Sequence, residues 1–93
     1  MERSEPIRDY VITPHATFEM HHRGIDETTV RQVLNHPEQR EMVRPGREVL
    51  QSRLEFEGQI YLVRVFVDID RVPPQVVTAY RTSKIEKYWR EEA

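Results

Sequence analysis

An α+β fold is predicted by three features of the chain: two N-terminal helices and a short C-terminal helix packed on a four-stranded antiparallel sheet. Two stretches before residue 36 carry helix-start signals with apolar residues at helical spacing. From Glu38 the apolar period changes to two, and the runs are separated by Pro45-Gly46 and Glu57-Gly58, the turn chemistry of hairpins. The resulting order, two helices, four strands and a last helix, is that of helices laid against an antiparallel sheet.

The first helix is signalled by Thr13-Pro14. Threonine caps, and proline at the first helical position loses only a hydrogen bond that was never available. It is expected to run to His22 with Ala16, Phe18 and Met20 as its apolar members, and Gly24 is a natural stop. The second helix begins at Asp26, which caps the amides after it, while Ile25 and Val30 fit a hydrophobic staple. Val30, Val33 and Leu34 form its apolar stripe, and Asn35-His36-Pro37 ends it near Asn35.

Strands are expected over residues 38–43, 48–56 and 59–68. In the second, Leu50, Leu54 and Phe56 share a face with Ser52, and Gln51, Arg53 and Glu55 take the other. The third is apolar on both faces, with Tyr61, Val63, Val65 and Val67 on one and Ile60, Leu62 and Phe66 around Arg64 on the other, which places it centrally in the sheet. Paired prolines at Pro73-Pro74 cannot continue a ladder, so residues 68–74 read as the loop to a fourth strand over 76–81. Ser83 and Glu86 stand at capping-box spacing and open a terminal helix through about Arg90, with Ile85 and Trp89 as its buried face.

Ninety-three residues form a single domain over 1–93, with an ordered core expected over about 7–90. No apolar run approaches the roughly 20 residues of a membrane helix. There is no cysteine, and the first residues lack the apolar core of a secretory signal, so a cytoplasmic address without membrane association is expected. The net charge of −2 argues against a strongly basic nucleic-acid binder, although the acids concentrate at the two ends. No cofactor is expected: among three glycines there is no phosphate-cradling loop, and no serine sits in a nucleophile elbow. No metal is expected either, because His21 and His22 are adjacent and project about 100° apart on a helix.

The chemistry concentrates where an apolar strand runs into Tyr80-Arg81-Thr82-Ser83-Lys84, a set of hydroxyls and cations suited to an anionic group. His15-Ala16, Arg23-Gly24-Ile25-Asp26, Asn35-His36-Pro37 and Val77-Thr78-Ala79-Tyr80-Arg81-Thr82 together resemble a family of small bacterial proteins catalogued as a domain of unknown function, DUF4258, over about residues 10–88. That family is similar in plan to the RelE-like and BrnT-like toxins, in which N-terminal helices precede a curved antiparallel sheet. Several of those toxins are metal-independent ribonucleases held inactive by an antitoxin. The resemblance implicates His15, Arg23, Tyr80, Arg81 and Thr82, with Lys84 added more weakly. Glu19 and the acidic balance are where this chain departs from the toxins.

Metal-free RNA cleavage needs a base for the 2′-hydroxyl, an acid for the leaving oxygen and cations around the phosphorane. His15 suits either proton transfer, Arg23, Arg64 and Arg81 suit phosphate, and Tyr80 suits a base face or a phosphate oxygen. Arg64 is the least expected by pattern, and an ion pair with Glu55 or Asp9 is its structural alternative. Tyr88 and Trp89 read as packing residues. The expected function is therefore a toxin-like RNA-binding protein or endoribonuclease in which His15, Arg23, Tyr80 and Arg81 act in catalysis and Arg64, Thr82 and Lys84 in binding. Its expected partners are RNA and an antitoxin. The alternative is a non-catalytic interaction domain, a homodimer among its forms, that pairs through the edge strand 38–43.

Overall fold

The computed structural model describes residues 4–91; the first three and last two residues of the expected domain lie outside the described residues. The elements in order are β1 (Val11–Ile12), α1 (Pro14–His22), α2 (Glu27–Asn35), β2 (Gln39–Arg44), β3 (Arg47–Phe56), β4 (Gln59–Asp68), β5 (Gln75–Thr82) and α3 (Ile85–Tyr88). They form an α+β fold around one sheet of order β1-β5-β4-β3-β2, with β4 at its centre as the two apolar faces of that strand require.

Both long helices start as their caps dictate. Thr13 Oγ1 accepts from the Ala16 amide at 3.1 Å, and Asp26 Oδ1 accepts from the Thr29 amide at 2.8 Å. Gly24 follows α1 at φ +69°, a left-handed conformation that glycine reaches without steric cost. Val30, Val33 and Leu34 of α2 join Ala16, Met20 and Ile25 in a core against Leu50, Val63, Val65, Val67, Val76 and Ala79. Phe18 is the exception on α1: it is 63% exposed and stacks edge-on against His22.

The sheet corrects the expected four-stranded antiparallel arrangement in two ways. It has five strands and is mixed, because Val11–Ile12 runs parallel to β5 with Val11 opposite Gln75 and Ile12 opposite Val76. Two residues ahead of a helix cap are too short to show a period, so nothing in the sequence separates them from a lead-in. The C-terminal helix is also shorter than expected. It is a single turn ending at Tyr88, Lys84 rather than Ser83 occupies its cap position with no side-chain bond, and Trp89 is already extended. The Thr82 hydroxyl accepts from the Lys84 amide at 3.0 Å, a local turn that displaces the capping box. Ile85 and Trp89 are consequently only partly buried.

Register divides the sheet into two unlike faces. Leu50, Val65 and Ala79 lie abreast on the face covered by the helices, as do Ser52, Val63 and Arg81. On the other face Gln39, Gln51, Arg64 and Tyr80 lie abreast, one from each of four strands. The residues after β5 fold back across this second face at Gln51 and Gln39, and Val49 and Leu62 on the same face are buried outside the main core cluster. The expected free edge of β2 is therefore only partly open. Gln39 is buried and bonded to the Arg90 backbone, and Arg40 reaches the Glu5 carbonyl, whereas Met42 and Val43 are 64% and 48% exposed.

Candidate functional site

The four residues abreast on the second face form a continuous polar ladder. Gln51 Nε2 donates to Gln39 Oε1 at 2.8 Å, Arg64 Nε donates to Gln51 Oε1 at 2.8 Å, and Arg64 Nη1 donates to the Tyr80 hydroxyl at 2.7 Å. Each bond joins residues that are direct cross-strand partners, so β-sheet register alone brings them within reach. Gln39 and Gln51 also bind the returning chain. Gln51 Nε2 donates to the Tyr88 carbonyl at 3.2 Å, Gln39 Nε2 donates to the Arg90 carbonyl, and the Arg90 amide donates back to Gln39 Oε1. The ladder thus fixes where Tyr88 sits.

Tyr88 sits over the ladder's cation. The Arg64 guanidinium carbon is 4.4 Å from the Tyr88 ring centroid and also faces Phe66 and Tyr80 at 5.4 and 5.8 Å. Tyr80 stacks on Phe66 and meets Tyr88 edge-on at 6.2 Å. Arg64 is 9% exposed, and no carboxylate pairs with it among the described residues. The alternative ion pair with Glu55 or Asp9 is not formed; amide, phenol and ring faces take its place. The Tyr80 hydroxyl, followed by the positive charges of Lys87 and Arg64, holds the Tyr88 phenol below its usual range. The result is an acidified phenol, a second phenol and a buried guanidinium within one cluster.

The other predicted residues lie elsewhere. His15 and Arg23 each stand one helical turn from Glu19, on either side of it along one stripe of α1: His15 Nε2 is 3.2 Å from Glu19 Oε2, and Arg23 Nη1 is 3.5 Å from Glu19 Oε1. Arg23 Nη1 also donates to the Ala79 carbonyl at 2.9 Å and the Thr78 hydroxyl at 3.1 Å, tying α1 to the outer edge of β5. The Thr78 hydroxyl donates to Glu19 at 2.5 Å, and this bond, with the charges of Arg23 and His15, lowers the Glu19 carboxyl from its ordinary value. Arg81 emerges on the helix face, where its guanidinium lies over Phe56 and Tyr61 at 4.6 and 4.9 Å.

The structure does not bring these residues to one place. Tyr80 and Arg81 are consecutive in a strand and point to opposite faces, so both cannot serve one centre. None of His15, Arg23 or Arg81 is hydrogen-bonded to Arg64 or Tyr80. Thr82 is occupied with the turn amide, and Lys84 is exposed beyond it. The sequence reading also passed over Gln51 and Tyr88. Alternation puts Gln51 on a strand face with Arg53 and Glu55, yet it is 2% exposed and bonded to the Tyr88 carbonyl of the returning chain. Among the described residues no group of three or more histidines, cysteines and carboxylates is placed to hold a metal, and no helix is long and apolar enough to cross a membrane. A polar cleft lined by Arg8, Tyr10, Thr17, Glu27, Arg31 and Asn35 shares none of the ladder's side chains.

A family model described as a domain of unknown function (DUF4258) matches residues 12–81. That span holds α1, α2, β2 to β4, most of β5 and all four ladder residues, and it stops short of α3 and Tyr88. No curated protein and no solved structure matches the chain.

Proposed function

Since the chain belongs to the DUF4258 family, whose description carries no activity, we propose its function from the side chains themselves: a small RNA-binding protein with metal-independent endoribonuclease chemistry on the sheet face opposite the long helices. The observation that carries the reading is Arg64, a nearly buried guanidinium with no acid partner among the described residues, joined to one phenol and roofed by another. Such a cation, withdrawn from water, projects its field onto whatever lies above it, and the group that gains most is an anion or a group becoming one.

In this reading the Tyr88 phenolate takes the proton of a ribose 2′-hydroxyl, the freed oxygen attacks the adjacent phosphorus, and the 5′-oxygen leaves with a proton. The products are a 2′,3′-cyclic phosphate and a new 5′-hydroxyl end. Tyr80, whose oxygen already accepts from Arg64 Nη1, gives its hydroxyl proton to the leaving oxygen. Lys87 adds charge at the rim, its ammonium 5.4 Å from the Tyr88 ring. The rings of Phe66, Tyr80 and Tyr88 give a base a surface on which to stack, worth about 1–3 kcal/mol per base. A toxin role with an antitoxin covering this face, and cytoplasmic action, belong to the same proposal.

Incubating the purified chain with single-stranded RNA in chelator tests it. Cleavage, or retention of RNA at low salt, is expected from the native protein, and Tyr80→Phe with Tyr88→Phe is expected to abolish cleavage with the circular dichroism unchanged. Absence of both binding and cleavage by the folded native chain would refute the proposal. A second reading rests on Met42 and Val43, exposed on the open half of β2: an interaction domain that adds a partner strand or a second copy there. Light scattering decides the homodimer form, and a dimer lost on Val43→Lys would favour it.

A further inference from the structure

Arg81 is the partly buried guanidinium to which the fold gives no hydrogen-bond acceptor among the described residues. Arg40 is met by Glu48, Arg47 by Asp68, and Arg64 by Gln51 and Tyr80. Arg81 has ring faces only, Phe56 at 4.6 Å and Tyr61 at 4.9 Å. Contact with two ring faces restrains a guanidinium without using its N–H groups, so the donors are free to meet a ligand at reduced entropic cost. Gly24 lies beside this guanidinium. A Cβ at that position would stand 3.7 Å from Arg81 Nη2, in ordinary contact with it.

The surroundings extend this into a path. β1 covers β5 only at Gln75 and Val76, leaving the rest of the outer edge of β5 without a strand neighbour. Arg23, with its side chain 42% exposed, stands at that edge against Ala79. A nucleic-acid strand leaving the Arg64 cluster around this edge passes Arg23 and reaches Arg81 on the far face.

We propose that Arg81 is a second oxyanion site that holds a backbone phosphate of the RNA strand at a nucleotide removed from the one over Arg64. The phosphate site stands on the geometry of Arg81, whereas its RNA origin rests on the function proposed above. The substrate class it implies is an extended single strand that wraps the edge of β5, not a dinucleotide or a blunt duplex end.

Two measurements on the full chain separate these levels. In the first, inorganic phosphate is titrated at constant ionic strength while the Arg81 Nε–Hε resonance and the Phe56 and Tyr61 ring signals are followed. Saturable shifts are expected with phosphate and not with matched acetate; shifts that never saturate, or that acetate reproduces, overturn the site. In the second, the salt dependence of single-stranded RNA affinity is compared between the native chain and Arg81→Gln, with Arg81→Lys as the variant that keeps charge but loses the fork. The slope of log affinity against log salt is expected to fall by about 0.7 for Arg81→Gln. An unchanged slope overturns the assignment to the RNA path. Saturable phosphate binding by a chain that retains no RNA overturns the RNA reading alone.

Discussion

Tyr88 shows how a residue acquires a chemical character that its sequence position does not announce. It lies on a one-turn helix beside a tryptophan, which reads as packing, and only the fold-back of the chain sets it against Arg64 and Tyr80. The neighbouring Tyr80 hydroxyl, then the charges of Lys87 and Arg64, favour its ionised form, so as pH rises the phenolate appears earlier than in a free tyrosine, whose value is about 10. If the phenolate is the base, kcat/KM rises with pH and levels off below that value. Tyr88→Phe is expected to remove this limb and Lys87→Met to move it to higher pH; a limb that survives in Tyr88→Phe assigns the base elsewhere. Arg64 was legible as an anomaly, a charge on an apolar strand face. Its partners were not, because whether Gln51 faces water or protein depends on where a distant segment returns.

Elements with a local code were read well. The caps at Thr13 and Asp26, the stripe of Val30, Val33 and Leu34 and the hairpin turns depend on neighbours within four residues, and each appears where the pattern places it. Asp26→Ala is expected to cost about 1 kcal/mol, the usual loss of a helix cap. Leu34→Ala, which empties a wholly buried position in the same helix, is expected to cost about 2–5 kcal/mol. Urea unfolding of both variants measures the contrast, and equal losses would mean that α2 is held by its end rather than by its face. The two misread elements, β1 and α3, are those whose form is decided from outside. Val11–Ile12 is a strand because Val76 and Pro74 supply partners for its backbone and for Thr13, and α3 stops after one turn because Gln51 and Gln39 capture the backbone at Tyr88 and Arg90.

For the molecule as a whole, acid sensitivity is expected to come from carboxylates paired across the sheet. Asp68 receives Arg47 Nε at 2.6 Å and Nη2 at 3.2 Å, and this bonding, aided by the charges of Arg47, Arg44 and Arg71, lowers its carboxyl below the ordinary range. Because the folded value lies under the unfolded one of about 3.9, the contribution is complete at neutral pH. It drains away as pH drops through that region and on to the folded value. Asp68→Asn should therefore lower stability at neutral pH and flatten its decline in acid, as thermal melts at a series of pH values would read; parallel curves for the two proteins would assign the acid limb to other groups. 

The polar ladder has one more consequence, for alignment. Val63, Val65 and Val67 repeat every two residues on the core face of β4, so sliding that strand by two against β3 would exchange one valine for another and leave the apolar layer almost indifferent. On the reverse face the same slip would bring Leu62 or Phe66 opposite Gln51 and strand a sealed amide and a guanidinium, at about 1–3 kcal/mol or more for each orphaned group. The side chains that gather the proposed chemistry are thus also the teeth that keep three interchangeable valines from settling one notch out of place.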